Sequence, residues 1–157
     1  MTTLFTSLIA VLGTLLGSSV THLFQQRATR HTEARQAVER LRQERLDAYG
    51  GYAGLLVEFR QAMLHAWFSE HEQLDEADTV QLRRHSFELR TSTHQALLRL
   101  QLLVDEPTLV EAATTAFRSV GRIDRAEGRE ELLPRRDESQ QLIDAFLRAA
   151  RRQLAAT

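Results

Sequence analysis

The side chains best suited to chemistry are six histidines and the carboxylates near them. A helical bundle that houses a dinuclear carboxylate centre carries Glu-x-x-His on two helices, because ligands one turn apart project to the same side. None of the six histidines has a glutamate three positions before it. His65, Glu70 and His71 gather at one helix end beside Trp67, and His85 and His94 follow on the next helix. That grouping fits a cap, a surface or a core-edge role better than a metal site. Cysteine is absent, which excludes disulfides and thiolate metal sites. The glycines of YGGYAG (Gly50, Gly51 and Gly54) do not make a phosphate loop, since no Lys-Ser/Thr follows and no strand precedes. No nucleophile elbow or zinc spacing occurs. No catalytic residue, metal or cofactor is expected, and the chain reads as non-enzymatic.

Charge offers contact surfaces instead. Arg118, Arg122, Arg125 and Arg129 repeat at four, three and four, a basic ridge on the third soluble helix. Asp124, Glu127, Glu130 and Glu131 are expected to neutralise it. Arg148, Arg151 and Arg152 form a second patch with no acidic residue after Asp144. Such a patch can face lipid head groups, nucleic acid or an acidic partner. The formal net charge of the 157 residues is −1, so direct nucleic-acid binding is not expected. All twenty basic residues other than histidine are arginine, a bias that fits a GC-rich genome rather than a recognition code.

The element that positions everything else is the run Leu4 to Phe24, which holds no Asp, Glu, Lys or Arg. As a helix it rises about 31 Å, the hydrocarbon thickness of a bilayer. Residues 1–3 lack the basic start of a signal peptide and nothing near Ser18–Thr21 reads as Ala-x-Ala, so the run is expected to stay as a single-pass anchor over 1–26. Arginines from Arg27 onward follow the run and none precedes it. The N-terminus is therefore expected outside the cell membrane and the rest of the chain in the cytoplasm. Arg27 and Arg30 lie near the interface, where each gains about 1 kcal/mol from anionic lipid. One face of the span is small: Ala10, Gly13, Thr14, Gly17, Ser18 and Thr21. It includes Gly-x-x-x-Gly, which lets two helices approach closely in lipid. A homo-oligomer is expected on that face.

The soluble part is expected to be all-α, since apolar residues recur at three and four and no strand-like alternation appears. Ala34, Val38, Leu41, Arg45, Ala48, Tyr52, Leu55 and Phe59 keep a heptad seam. Residues 27–48 read as a charged helical stalk and 49–157 as an antiparallel four-helix bundle that includes the second half of the long helix. Leu56, Met63 and Trp67 widen the seam to a bundle-sized stripe. Arg45 interrupts it and needs to snorkel or find Glu44 or Asp47. The three glycines mark a kink or a close helix crossing. The second soluble helix is expected from the capping pair Asp78 and Gln81 to Val104, and the third from Pro107, with acidic residues at its cap. The last is expected from Asp137, after a loop bracketed by Gly128 and Pro134.

An uncharged start, GTLLG in the anchor, Gln-Gln, an Arg-rich stalk, FRQAMLHAW and ALLRLQLLVDEPTLVEAA together resemble KilB-like small membrane proteins. These belong to conjugative plasmids and chromosomes of mycelial, GC-rich bacteria. The resemblance implies a membrane-associated role in plasmid spread without an enzymatic activity, and carries over no functional residue. The first function expected is thus a membrane-anchored scaffold that recruits a cytoplasmic partner. The alternative is a membrane-tethered sensory or regulatory helical bundle that binds a small ligand or a protein partner, with a pocket near Trp67, Phe68 and the histidines.

Overall fold

The computed structural model describes the backbone of residues 2–71 and 76–156, with side chains described for 35–71 and 78–156. Every regular element among them is helical: α1 (Thr2–His71), α2 (Glu76–Leu103), α3 (Pro107–Val120) and α4 (Arg129–Ala156), with a 3₁₀ turn at Ile123–Arg125. The chain divides into two units, Met1–Leu41 and Arg42–Thr157. In the first, residues 35–41 are all exposed. The anchor run and its packing and lipid-contact residues lie outside the described side chains. Among the described residues no helix is long and apolar enough to cross a membrane.

In the second unit the helices alternate in direction. Arg45 of α1 meets Leu103 at the end of α2, and Leu55 meets Thr93. Tyr52 meets Ala113 of α3, and Arg60 meets Ser139 of α4. The core line of α1 runs through Tyr49, Tyr52, Leu56, Phe59, Met63 and Trp67, at spacings of three and four. Its partners are Leu97 and Leu100 of α2, Val104 just past the end of that helix, Leu109, Ala113, Ala116 and Val120 of α3, and Ile143 and Phe146 of α4. Tyr52 and Phe146 meet edge to face with ring centroids 5.1 Å apart. Each large apolar side chain buried here contributes about 1.5–3 kcal/mol.

Where the helices begin departs from the sequence expectation at two places. Asp78 lies inside α2, which starts two residues earlier at Glu76, so Asp78 does not cap it. The larger correction is α4, which starts at Arg129 rather than Asp137 and carries Pro134 inside. The Gly128 carbonyl accepts from the N–H groups of Glu131 and Leu132, at 3.1 and 3.0 Å. The Glu131 carboxylate turns back to accept from the Glu127 N–H at 3.3 Å, satisfying a donor at the helix start. Leu132 then buries fully, whereas Leu133 stays half exposed. Pro134 has no N–H to donate to the Glu130 carbonyl, but both residues are exposed, so that acceptor is open to solvent. The start of α3 is as the sequence implies. Pro107 stands in the first turn, and the Glu106 carboxylate accepts from the N–H and hydroxyl of Thr108 at 3.3 and 2.6 Å.

Candidate functional site

Around Trp67 the side chains pack against one another. The indole lies almost parallel to His71 at 4.0 Å and edge to face with Phe68 at 5.2 Å. Its N–H donates to the Ala126 carbonyl at 2.7 Å. Arg129 reaches over the Phe68 ring at 6.0 Å. The imidazole of His94 stacks on Phe117 instead, and Glu70 pairs with Arg83. The grouped histidines therefore separate: His71 and His94 stack on aromatic rings, His65 and His85 are exposed on the surface, and among the described residues no three His, Asp or Glu side chains converge on a metal position. The Trp67 ring itself is buried among this chain's own side chains, and a groove of about 280 Å³ on the same stretch of α1 is lined by Met63, Ala66, Glu70, Arg83 and Phe87.

Arg45 finds neither Glu44 nor Asp47. Its Nε donates to the Leu103 carbonyl at 3.3 Å, which places a cation at the C-terminal end of α2, the negative end of that helix. The Tyr49 hydroxyl one turn on is buried without a hydrogen-bond partner. Burial pushes its pKa up, and the Arg45 charge partly opposes that. Arg60, part-buried, donates from Nε to the Ser139 hydroxyl at 3.0 Å and from Nη2 to the Arg136 carbonyl at 3.1 Å. Burial, and then the Arg136 charge, lower its pKa.

The basic ridge does not lie on one helix. The third helix ends at Val120, with Gly121 closing it, so Arg122 and Arg125 fall in the following turn and Arg129 opens α4. Arg122 pairs with Glu138 at 3.3 Å, a carboxylate outside the expected set. Arg118, Arg122 and Arg125 do share one shallow surface with Arg90 and Phe117. Of the C-terminal patch, Arg148 and Arg151 line an open groove of about 440 Å³ between α1 and α4, floored by Leu46, Gly50, Leu147 and Leu154. Arg152 is exposed and does not line it. The glycines correct another expectation. α1 runs unbroken through Gly50, Gly51 and Gly54, and a Cβ at any of them would meet nothing within 4 Å. Among the described residues no close helix crossing requires them.

One surface escaped the sequence reading. Val80, Phe87, Leu98 and Leu102 of α2 are 64, 62, 47 and 88% exposed. At 3.6 residues per turn they fall within about 60° of one another, opposite the buried Ser86, Thr93, Leu97 and Leu100. The signal was present as apolar residues left over from the core stripe, but leftover residues look like ordinary surface leucines until the rest of the helix is seen to be covered.

Fold and surfaces together define a small all-helical bundle protein distinguished by exposed apolar and basic faces. The chain belongs to the KilB plasmid transfer protein family, whose model matches residues 46–154, more than two thirds of its length. FRQAMLHAW and ALLRLQLLVDEPTLVEAA lie inside that match, and GTLLG lies outside it. No curated protein and no solved structure matches the chain.

Proposed function

We propose that the chain is a non-enzymatic, single-pass membrane-anchored scaffold that serves plasmid spread or conjugative DNA transfer. Membership of the plasmid transfer family supports the process. The uncharged run Leu4 to Phe24 supports the anchor, with Arg27 and Arg30 at the lipid interface and the bundle on the cytoplasmic side. The observation that carries the scaffold reading lies in the stalk. Val38 and Leu41 occupy heptad seam positions and are 56 and 39% exposed. A seam of that kind is covered when a second stalk winds beside it. The homo-oligomer then presents several bundles to a cytoplasmic protein partner of the transfer apparatus.

The test is cysteine crosslinking in cells, made clean by the absence of native cysteine. Val38→Cys and Leu41→Cys should give disulfide dimers in the membrane fraction, whereas Arg40→Cys, off the seam, should not. A chain that fractionates away from membranes, or shows no seam-periodic crosslinks, overturns the reading. Deleting residues 2–26 should release the protein from membranes and lower plasmid spread.

A further inference from the structure

We propose that the recess between α2 and the turn after α3 binds a compact polyphosphate through Arg90, Arg118, Arg122 and Arg125. These four arginines line one shallow recess of about 280 Å³, together with Phe117 and Gly121. They come from three places in the chain: Arg90 from α2, Arg118 from the last turn of α3, and Arg122 and Arg125 from the turn that follows. The fold fixes that turn. Ile123 is fully buried, and the Ala126 carbonyl takes the Trp67 N–H. The N–H groups of Gly121, Arg122, Arg125 and Ala126 all bond back along the chain, at 3.1 to 3.3 Å. Backbone held in place beforehand lowers the ordering cost of binding.

The carboxylates that could neutralise the recess are engaged elsewhere. Among the described residues Arg90, Arg118 and Arg125 make no ion pair, and Arg122 pairs with Glu138. Glu131 pairs with Arg135 and also takes the Glu127 N–H. Arg135 in turn donates to the Arg122 carbonyl at 3.0 Å. Asp124 lines the adjoining groove, which Arg90 shares. With Arg135 included, five guanidiniums stand against Glu131, Glu138 and Asp124, and His94 beside Phe117 is taken as neutral. The surplus is two positive charges, from which the C-terminal end of α3 subtracts roughly half a charge. It stands on one side of a chain whose formal net charge is −1.

The arrangement selects the class of ligand. A guanidinium presents a planar fork of N–H donors that matches phosphate oxygens two at a time. Four forks around one recess exceed what a single carboxylate or monophosphate engages, whereas adjoining phosphates carry oxygens and charge for all four. A nucleic-acid strand spaces its charges along a line. It would meet a row of arginines, and the row Arg118, Arg122, Arg125 and Arg129 is broken where Arg129 reaches over Phe68. Phe117 is already engaged by His94 and Phe59, at 5.6 and 5.9 Å, so the recess recognises by charge rather than by base stacking. It shares no residue with the groove of Arg148 and Arg151. Nor does it depend on the anchor or the stalk seam.

The experiment titrates inorganic triphosphate into the full chain in neutral detergent, by calorimetry. Binding is expected, weaker as salt rises and about tenfold tighter than that of inorganic monophosphate. Arg118 and Arg125 are exposed, so Arg118→Gln with Arg125→Gln should keep the helical circular-dichroism signal. That double variant should weaken triphosphate about tenfold or more. Arg148→Gln with Arg151→Gln removes the same charge from the other groove and should leave binding within about twofold. Arg90→Gln, on a separate helix, should weaken binding by itself, and an unchanged affinity there overturns the proposal. So does absence of binding, or an equal loss in the two double variants, which would mean attraction by overall charge. Oligothymidine that binds more tightly than triphosphate, and loses that advantage in Arg118→Gln with Arg125→Gln, would make the recess a strand surface and overturns it too. None of these outcomes bears on the scaffold reading, which stands or falls on the crosslinks.

Discussion

The indole N–H of Trp67 donates to the Ala126 carbonyl at 2.7 Å, and both residues are buried, so the end of α1 is fastened to the turn that leads into α4. Trp67→Phe keeps an aromatic ring but removes the donor. The expected cost is about 1–3 kcal/mol, the usual penalty for stranding a buried polar group. Urea unfolding followed by far-ultraviolet circular dichroism measures it, since the variant loses the chain's single tryptophan. A change within about 0.5 kcal/mol (the usual range of surface substitutions) would show that water reaches Ala126.

Tyr52 makes stability sensitive to alkali. Its hydroxyl donates to the Ala113 carbonyl at 2.8 Å, and burial raises its pKa well above the ordinary value of 10.0. A folded pKa above the unfolded one means that the folded chain holds the proton more tightly. The resulting stability is complete below pH 10 and is lost as the pH climbs beyond it. Tyr52→Phe is expected to cost about 1 kcal/mol at neutral pH and to flatten the fall of melting temperature above pH 10. An unchanged alkaline slope would assign the effect to Tyr49.

The exposed glycines of α1 should be improvable. Gly50→Ala and Gly54→Ala place a methyl group in open space, within a continuous helix. Each is expected to stabilise the bundle by about 0.5–1 kcal/mol through helix propensity. Thermal melts of the purified chain check this. A loss of stability would mean that something outside the chain approaches these positions closely.

Arg45 couples two helices and tunes a phenol. Arg45→Met removes the bond to the Leu103 carbonyl and the cation at the end of α2. The expected loss is about 0.5–1.5 kcal/mol, smaller in high salt. Because the Arg45 charge lowers the Tyr49 pKa, the same variant should raise it further. Ultraviolet titration in a Tyr52→Phe background, which leaves Tyr49 as the only tyrosine, reads that shift directly.

Much of the bundle is legible in the sequence because burial is periodic. Tyr52, Leu56, Phe59, Met63 and Trp67 repeat at the helical spacing, and so do Ser86, Thr93, Leu97, Leu100 and Val104, and all are buried. Glu106 and Pro107 mark the start of α3 through local backbone chemistry that needs no distant partner. The candidate surfaces were less legible. Arg148 and Arg151 can be read as a patch, but not that Leu46 and Gly50 of α1 form the other wall of their groove.

By itself, then, the sequence determined the all-helical class, the core stripes and the cap of α3, because these depend on spacing and on bonds within a few residues. The tertiary structure alone decided the start of α4, the partner of Arg45 and the exposure of Phe87 and Leu102. Pro134 argues locally against a helix, yet burying Leu132 against the core, with Glu131 satisfying the first turn, outweighs one missing hydrogen bond. Arg45 has carboxylates one and two residues away, but neighbours that close in a helix do not share its face, and the end of α2 does. Which apolar residues stay outside is likewise a matter of what the other three helices cover. That depends on contacts between residues 59 to 79 positions apart, beyond the reach of any local pattern.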